Sequence, residues 1–267
     1  MTLTLNTGFW SPAAGGGNNP PFDEVTGLIN FDASPMAAIV GGAIGGRTDR
    51  DTSVTVFSSA ASSQFVGDSD SGQASAYAVN YVEFTAKTAG NALGEFGSEP
   101  FMIELNYYPQ DNTAYYTEGI LLNLGYLSPS NGLAIEFTSA DKIELQCPAA
   151  GVATLLSDTA STLNTWHYLN VAGSGLDGGS GTISVYHAPI SESSTPRRAQ
   201  TTYSSYNSGT SSSMKTSIGA LYHSSRPLGG FYYSYYGYVD NLRITKGTDL
   251  TNQASSIDMI SAQFPTS

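Results

Sequence analysis

Carboxylates are the side chains from which this chain could build hydrolytic chemistry, and their spacing does not suit that chemistry. A retaining glycosidase needs two carboxyl groups about 5 Å apart, which a Glu-x-Asp-x-Glu strand supplies by placing alternate residues on one face. That triplet does not occur in the sequence, and Glu95 and Glu99 stand in a glycine-rich turn with the wrong spacing. Asp141 and Glu144 would point to opposite faces of a strand. The sequence therefore predicts a chain that is not an enzyme.

Histidines are the other candidates for acid–base work. His167, His187 and His223 are scattered, and none lies in a Gly-x-Ser-x-Gly or His-Glu-x-x-His context. We expect His167 to be a packed strand residue and not a base. No cofactor is predicted.

Oxygen donors for a metal occur in the loop Asp68-Ser-Asp-Ser-Gly72, and Asp49 and Asp51 precede it. Carboxylates of this kind suit calcium. The same pattern is typical of ordinary turns. Asp68 and Asp70 are therefore weak calcium candidates, and the turn interpretation is favoured.

An aromatic segment, Gly229-Gly-Phe-Tyr-Tyr-Ser-Tyr-Tyr-Gly-Tyr238, stands near the end of the chain. Aromatic rings with phenolic tips form protein interfaces, stack on sugars, or pack across strands. We expect Tyr238 to belong to the core. The candidates for an interface or a glycan site are Phe231, Tyr232, Tyr233, Tyr235 and Tyr236.

Composition excludes several functional classes. Acidic residues outnumber basic ones by 22 to 10, which gives a net charge of −12, yet only 12% of the residues are charged. Nucleic acid binding would oppose this field. There is no apolar run of about 18 residues and no signal peptide pattern, so we expect a soluble protein made in a cytoplasm. The single cysteine, Cys147, is predicted to be a small buried hydrophobe and not a reactive thiol.

Short apolar runs separated by turn residues recur from Gly27 onward, which predicts an all-β sandwich. A polar Ser/Thr-rich stretch, 191–213, is expected to be a loop, and helix is expected only within 248–259. The predicted strands cover residues 28–31, 54–57, 81–86, 101–108, 120–126, 133–138, 142–147, 166–172, 182–187, 217–222 and 238–245.

The last predicted strand breaks the two-residue period of a sheet. Val239 and Leu242 are three apart, so a flat strand cannot place both on one face. Either Asp240 is buried or a bulge lies at Asp240-Asn241, and the bulge is favoured. A bulge would place Val239, Leu242 and Ile244 on the core face and turn Arg243 outward.

Residues 1–26 form an extended Gly/Pro-rich arm with little periodicity. It carries Phe9, Trp10 and Phe22, which would expose large apolar faces in a solvated linker. We expect the arm to dock on a neighbouring subunit or partner through these three residues. The alternative is that it folds back over its own sandwich.

The closing phrase Gly-Tyr-Val-Asp-Asn-Leu-Arg-Ile-Thr-Lys-Gly at 237–247 resembles the last strand of laminin-G-like, concanavalin A-like jelly rolls of the type found in bacteriophage structural proteins. Other marks of that family follow in order, and the resemblance covers about residues 27–250. One departure is His187-Ala-Pro, where the family usually turns through Asp-Gly. The supporting segments are 27–32, 81–84, 100–109, 166–171, 182–186 and 217–219.

The resemblance implies a two-sheet antiparallel jelly-roll sandwich at 27–267, preceded by the arm at 1–26. The fold does not imply one activity. Because the catalytic motifs are missing and the resemblance is to bacteriophage structural proteins, we expect a non-enzymatic virion structural protein made in the host cytoplasm. We expect a phage capsid decoration or cement protein that forms a homo-oligomer, such as a trimer, and docks on a major capsid or tail protein. The alternative is a lectin-like carbohydrate-binding adhesion module of a phage tail or fibre, with a host surface glycan as ligand. A tail fibre usually has a long shaft, and the chain shows no heptad run.

Overall fold

A computed structural model describes seventeen stretches of the chain, and within them the secondary structure is β-strand without helix. None of these stretches holds a helix whose length and hydropathy would let it span a membrane. The described residues are 25–29, 31, 38–40, 44–47, 49–57, 62–65, 81–84, 93, 96–110, 119–125, 132–147, 152–175, 179–204, 216–223, 230–232, 235–247 and 254–259.

The strands are numbered in chain order. They are β1 (Val25–Ile29), β2 (Ala38–Val40), β3 (Ile44–Arg47), β4 (Asp49–Asp51), β5 (Ser62–Phe65), β6 (Tyr81–Phe84), β7 (Phe101–Pro109), β8 (Gly119–Leu124), β9 (Leu133–Phe137), β10 (Ile143–Cys147), β11 (Val152–Leu156), β12 (His167–Gly173), β13 (Gly181–Pro189), β14 (Ser194–Tyr203), β15 (Thr216–Ile218), β16 (Leu221–His223), β17 (Gly230–Tyr232), β18 (Gly237–Lys246) and β19 (Ser256–Asp258).

Two antiparallel sheets face each other. The larger sheet has the order β19-β14-β13-β12-β7-β18-β1-β2, and β5, joined by β4, shares the same flank of β18 as β1. The smaller sheet has the order β11-β10-β9-β8-β15-β6-β3, and β16 and β17 form a separate two-stranded ribbon. The predicted class, an all-β two-sheet antiparallel sandwich, is confirmed.

The inner core lies between the sheets. On β7, Phe101, Ile103, Leu105 and Tyr107 alternate with residues of the opposite face and pack into this core. The smaller sheet contributes apolar residues from β8, β9 and β10, including Cys147, which is fully buried as predicted.

The predicted bulge in β18 is confirmed. The pairing of β18 with β7 shifts register between Asp240 and Arg243, and Asn241 has a left-handed φ of 51°. Val239, Leu242 and Ile244 all reach the inner core. Asp240 is also buried, so the two alternatives were not exclusive: the outer face of the large sheet is covered as well.

That cover forms a second apolar layer. An outer core joins Val25, Leu28, Met102, Tyr168, Ala172, Tyr186 and Ile257, and a side cluster joins Val56, Trp166 and Tyr238. Ile257 comes from β19, so the C-terminal end of the described chain packs on the face of the sheet that points away from the inner core. At its centre, the large sheet is therefore buried on both faces.

Three sequence predictions were wrong. Residues 194–203 form β14, a hairpin partner of β13, where a loop was expected. Its serines and threonines suit a strand with a solvated side, since threonine is β-branched and favours extended backbone. Residues 256–258 form β19, although any helix of the chain was expected within 248–259. Residues 54–57 were predicted as a strand, but they form bends and a turn.

Candidate functional site

The most polar buried region lies on the outer face of the large sheet, between the outer core and the side cluster. Cross-strand pairing fixes its members: Arg243 on β18 faces Glu104 on β7, and Glu104 faces Asn170 on β12. In the next row of the sheet, Asn106 faces both Asp240 and Tyr168. These six residues occupy two neighbouring rows of cross-strand pairs, and together we call them the polar row.

Its centre is a bidentate ion pair. Arg243 Nε and Nη2 donate to Glu104 Oε2 and Oε1 at 2.6 and 2.9 Å, and Tyr168 Oη donates to Glu104 Oε1 at 2.7 Å. Asn170 Nδ2 then donates to the Tyr168 hydroxyl at 3.2 Å. Arg243 and Glu104 are only 1% and 2% exposed.

Burial and charge act against each other in this pair. Burial tends to lower the pKa of Arg243, but the adjacent Glu104 carboxylate outweighs burial and raises it. Burial, and then the Glu104 charge, raise the pKa of Tyr168 well above its ordinary value. The guanidinium thus stays charged and the phenol stays protonated. Glu104 already accepts three hydrogen bonds. This arrangement suits a carboxylate with a structural role better than a general base.

Not every member of the region is satisfied. Both polar atoms of the Asn106 and Asn241 side chains, together with Asn170 Oδ1 and Thr245 Oγ1, are buried without a hydrogen-bond partner. A buried unpaired polar group costs about 1–3 kcal/mol. Asn241 lies in the bulge, next to Asp240, which pairs with Asn106.

A second polar cluster lies on the inner face, at one end of the sandwich. Tyr107 Oη lies 2.7 Å from Ser161 Oγ and 3.5 Å from His187 Nδ1. The Tyr107 ring stacks on His167 with a centroid distance of 5.1 Å, and the His167 and His187 rings are 6.4 Å apart. His167 Nε2 lies 2.9 Å from the carbonyl oxygen of Thr162.

The electrostatics of this cluster keep both imidazoles neutral. Burial lowers the pKa of His167. Burial, then His167 and Arg198, lower the pKa of His187 to about 3. His167 was predicted to be a packed strand residue, and it is buried on the inner face of β12.

Four of the five predicted interface residues are described, and they divide into three groups. Tyr235 is buried in the inner core, where its ring meets Phe137 edge-on at 6.1 Å, so it offers no surface to a partner or a sugar. Tyr236 is half-buried. Phe231 and Tyr232 lie on β17, of which the backbone alone is described. Five further candidates lie outside the described residues, together with one of the aromatic run: Phe9, Trp10, Phe22, Asp68, Asp70 and Tyr233.

Several described carboxylates outside the polar row contact neighbouring polar side chains. Glu99 is exposed and pairs with Lys246 at 2.9 Å. Glu136 and Glu144 are cross-strand neighbours, held together by Gln146 Nε2, which donates to both at 3.0 and 2.9 Å. The described residues hold no group of three or more His, Cys, Asp or Glu side chains placed to bind a metal.

Sequence reasoning did not find the polar row. The two members of its ion pair, Glu104 and Arg243, are 139 positions apart, and each sits among apolar strand residues. The available signal was the charge at the centre of two apolar strands, Glu104 in β7 and Arg243 in β18. A charge so placed is expected to be paired if buried.

No model of a known protein family matches the chain, and no curated protein matches it. Solved structures do. A mutant of HCR D/C VPI 5995 is 11% identical with a TM-score of 0.50, over 85% of this chain and 50% of that one. The endo-beta-1,4-glucuronan lyase of the fungus Trichoderma reesei is 10% identical (TM-score 0.48; 81% and 91%). The Ruminococcus gnavus IT-sialidase CBM40 bound to sialyllactose is 12% identical (TM-score 0.43; 59% and 81%). At these identities the likeness shows the fold alone, which is the jelly-roll sandwich.

Proposed function

We propose that this chain is a non-enzymatic structural protein of a virion, which binds copies of itself and a capsid or tail protein. The observation that supports this proposal is the closure of the large sheet on both faces. Glu104, Asn106, Asn170 and Arg243 are all buried, so the centre of this sheet offers no open groove to a substrate. Binding would then fall to other surfaces, among which we propose the N-terminal arm.

The chemistry of the chain fits this role. Its charged fraction is 12%, so much of its surface must be uncharged, and charged residues are depleted at the cores of protein interfaces. The three aromatics of the arm, Phe9, Trp10 and Phe22, are the residue types that dominate interface energetics when they enter a pocket. Capsid decoration is the specific role we propose, with the major capsid protein as partner.

Deletion of residues 1–24, the part of the arm that precedes β1 (Val25–Ile29), tests the proposal. We expect the intact protein to form a homo-oligomer such as a trimer by light scattering and to label virions in electron micrographs. The truncated chain should be monomeric and should not bind. Replacing Phe9, Trp10 and Phe22 by alanine should have the same effect, while Asn18→Ala and Asn19→Ala in the same arm should not. Unchanged assembly and virion binding after the deletion would refute the role of the arm.

Carbohydrate binding is the second candidate, and the ribbon favours it. Its register pairs Tyr222 with Phe231 and Leu221 with Tyr232, which places aromatic residues side by side on a short element, and aromatic faces stack on sugar rings. A glycan array should then show retention that is lost in the Phe231→Ala, Tyr232→Ala and Tyr233→Ala variant. Tyr235→Phe is the control, because this ring lies in the core. An array on which no glycan retains the protein would exclude carbohydrate binding.

A further inference from the structure

The segment that carries the chain from the small sheet to the large one, residues 157–166, closes one end of the sandwich. It leaves β11 and enters β12, and its backbone is tied to three other elements. Ser157 N donates to the Ile143 carbonyl, Ser161 N to the Asp141 carbonyl and Asn164 N to the Pro109 carbonyl, at 2.9, 2.6 and 2.7 Å. We call it the crossing segment.

The side chains beneath this segment are those of the second polar cluster. Ser161 Oγ meets Tyr107 Oη, and the Thr162 carbonyl meets His167 Nε2. Arg198 connects β13 to the crossing segment. Its Nε donates to the His187 carbonyl at 3.2 Å, and its Nη1 donates to Thr159 Oγ1 at 3.3 Å. The crossing segment is thus fastened through the residues that surround the two histidines.

The surroundings of His167 and His187 disfavour the protonated form of either imidazole. His167 Nδ1 and His187 Nε2 are buried without a hydrogen-bond partner. The groups that face His187 are Tyr107 from β7, His167 from β12, Arg198 from β14 and the backbone of Thr159 in the crossing segment. None of them is an anion at neutral pH, and burial outweighs the Thr159 contact, which favours the protonated ring. Asp158 is the acidic neighbour, and it is exposed on the crossing segment itself.

We propose that the crossing segment is an acid-released latch: when His187 and His167 take up protons, residues 157–166 detach from the end of the sandwich and let the imidazoles reach water. The detachment breaks the contacts with Tyr107 and Arg198 and leaves the strand ladders in place. This inference stands apart from the proposed virion role.

The direction of the effect follows from linkage. The folded-state pKa of His187 is about 3, below the value of about 6.5 for a solvated histidine. The closed form is therefore favoured above about pH 6.5 and loses that advantage as the pH falls toward 3. At pH 5 the opening equilibrium should be about thirtyfold larger than at pH 7.5, from His187 alone. His167, whose pKa is also lowered, adds to this effect.

Hydrogen exchange of the full chain, corrected for the intrinsic pH dependence of amide exchange, tests the latch. We expect peptides within 157–166 to exchange at least about tenfold faster at pH 5 than at pH 7.5, while peptides of β12 and β13 keep their protection. Equal loss of protection in the crossing segment and in these strands would overturn the latch, because acid would then act on the whole fold.

Three variants separate the cause. His187→Phe should reduce the acid-induced ratio by about tenfold or more. His223→Gln, which removes the remaining histidine of the chain, should leave the ratio unchanged. Ser161→Ala removes the hydrogen bond to Tyr107 and should speed exchange by the same factor at both pH values. An undiminished ratio in His187→Phe would overturn the proposal; if that variant does not fold, the regional comparison in the unmodified chain still decides.

Discussion

The buried ion pair of the polar row depends on the geometry of both partners. Arg243 uses two nitrogens on one carboxylate, and this fork-to-fork contact gives direction as well as charge neutralisation. The Tyr168 hydroxyl donates a third hydrogen bond to the same carboxylate. Removal of one partner would leave a charge in a region where both faces of the sheet exclude water.

We therefore expect Arg243→Met to lower the free energy of unfolding by about 3–5 kcal/mol, measured by urea denaturation. The double variant Arg243→Met with Glu104→Leu should recover at least half of that loss, because it removes both charges. Lys246→Met on the same strand is the control: its pair with Glu99 is exposed, so the loss should be below about 1 kcal/mol. A loss of that small size in Arg243→Met would contradict the importance of the pair.

At this scale the sequence predicts the backbone better than the contacts. The three-residue spacing of Val239 and Leu242 requires a bulge, and the bulge is present. The partner of Arg243 does not follow from spacing, because it depends on which strand becomes the neighbour of β18. Tyr235 and Tyr236 show the same limit. The sequence places both in an aromatic run, but only the fold decides that Tyr235 is buried.

β19 attaches to the large sheet over a short length. It pairs with β14 over three residues, and its burial pattern places Ile257 inward and both neighbours outward. Beside this pairing, Tyr186 Oη donates to the Ala254 carbonyl at 3.1 Å, and Arg197 N donates to the Ser255 carbonyl at 2.9 Å. Ile257 is the buried apolar side chain of this segment, and the partly buried Ala254 and Met259 pack against the same outer core.

Ile257→Ala is expected to lower the free energy of unfolding by about 2–3 kcal/mol, since it leaves a cavity over the outer core. Asp258→Ala, on the same strand but exposed, should change it by less than about 0.5 kcal/mol. Thermal denaturation followed by circular dichroism makes the comparison. Equal effects of the two substitutions would mean that β19 does not stabilise the sheet.

The elements that sequence reasoning missed share a physical cause. β14 is rich in serine, threonine and arginine because much of it is partly exposed, so it lacks the apolar alternation by which the other long strands are recognised. β19 is only three residues long, too short for any period to show. Both are held by their neighbours and not by their own pattern.

For the molecule as a whole, the large sheet is shared between two apolar layers. β7, β12 and β18 each present one face to the inner core and the other to the outer core, the side cluster or the polar row. Loss of either layer would expose half of every central strand. The two layers should therefore unfold together.

Trp166 offers a test of this cooperativity, because it lies in the side cluster. In a Trp10→Phe variant it is the remaining tryptophan of the chain. Its fluorescence and the far-ultraviolet circular dichroism of the strands should give the same urea midpoint. Two separated transitions would show that the outer layer is lost before the sandwich.

Cys147, sealed in the inner core, gives this protein a built-in reporter. A thiol reagent should not modify Cys147 in the native chain, since reaction requires an accessible thiolate. The rate at which the sulfur becomes available then measures how often the two sheets part. A cysteine engineered on the rim could be labelled without interference from the resident one.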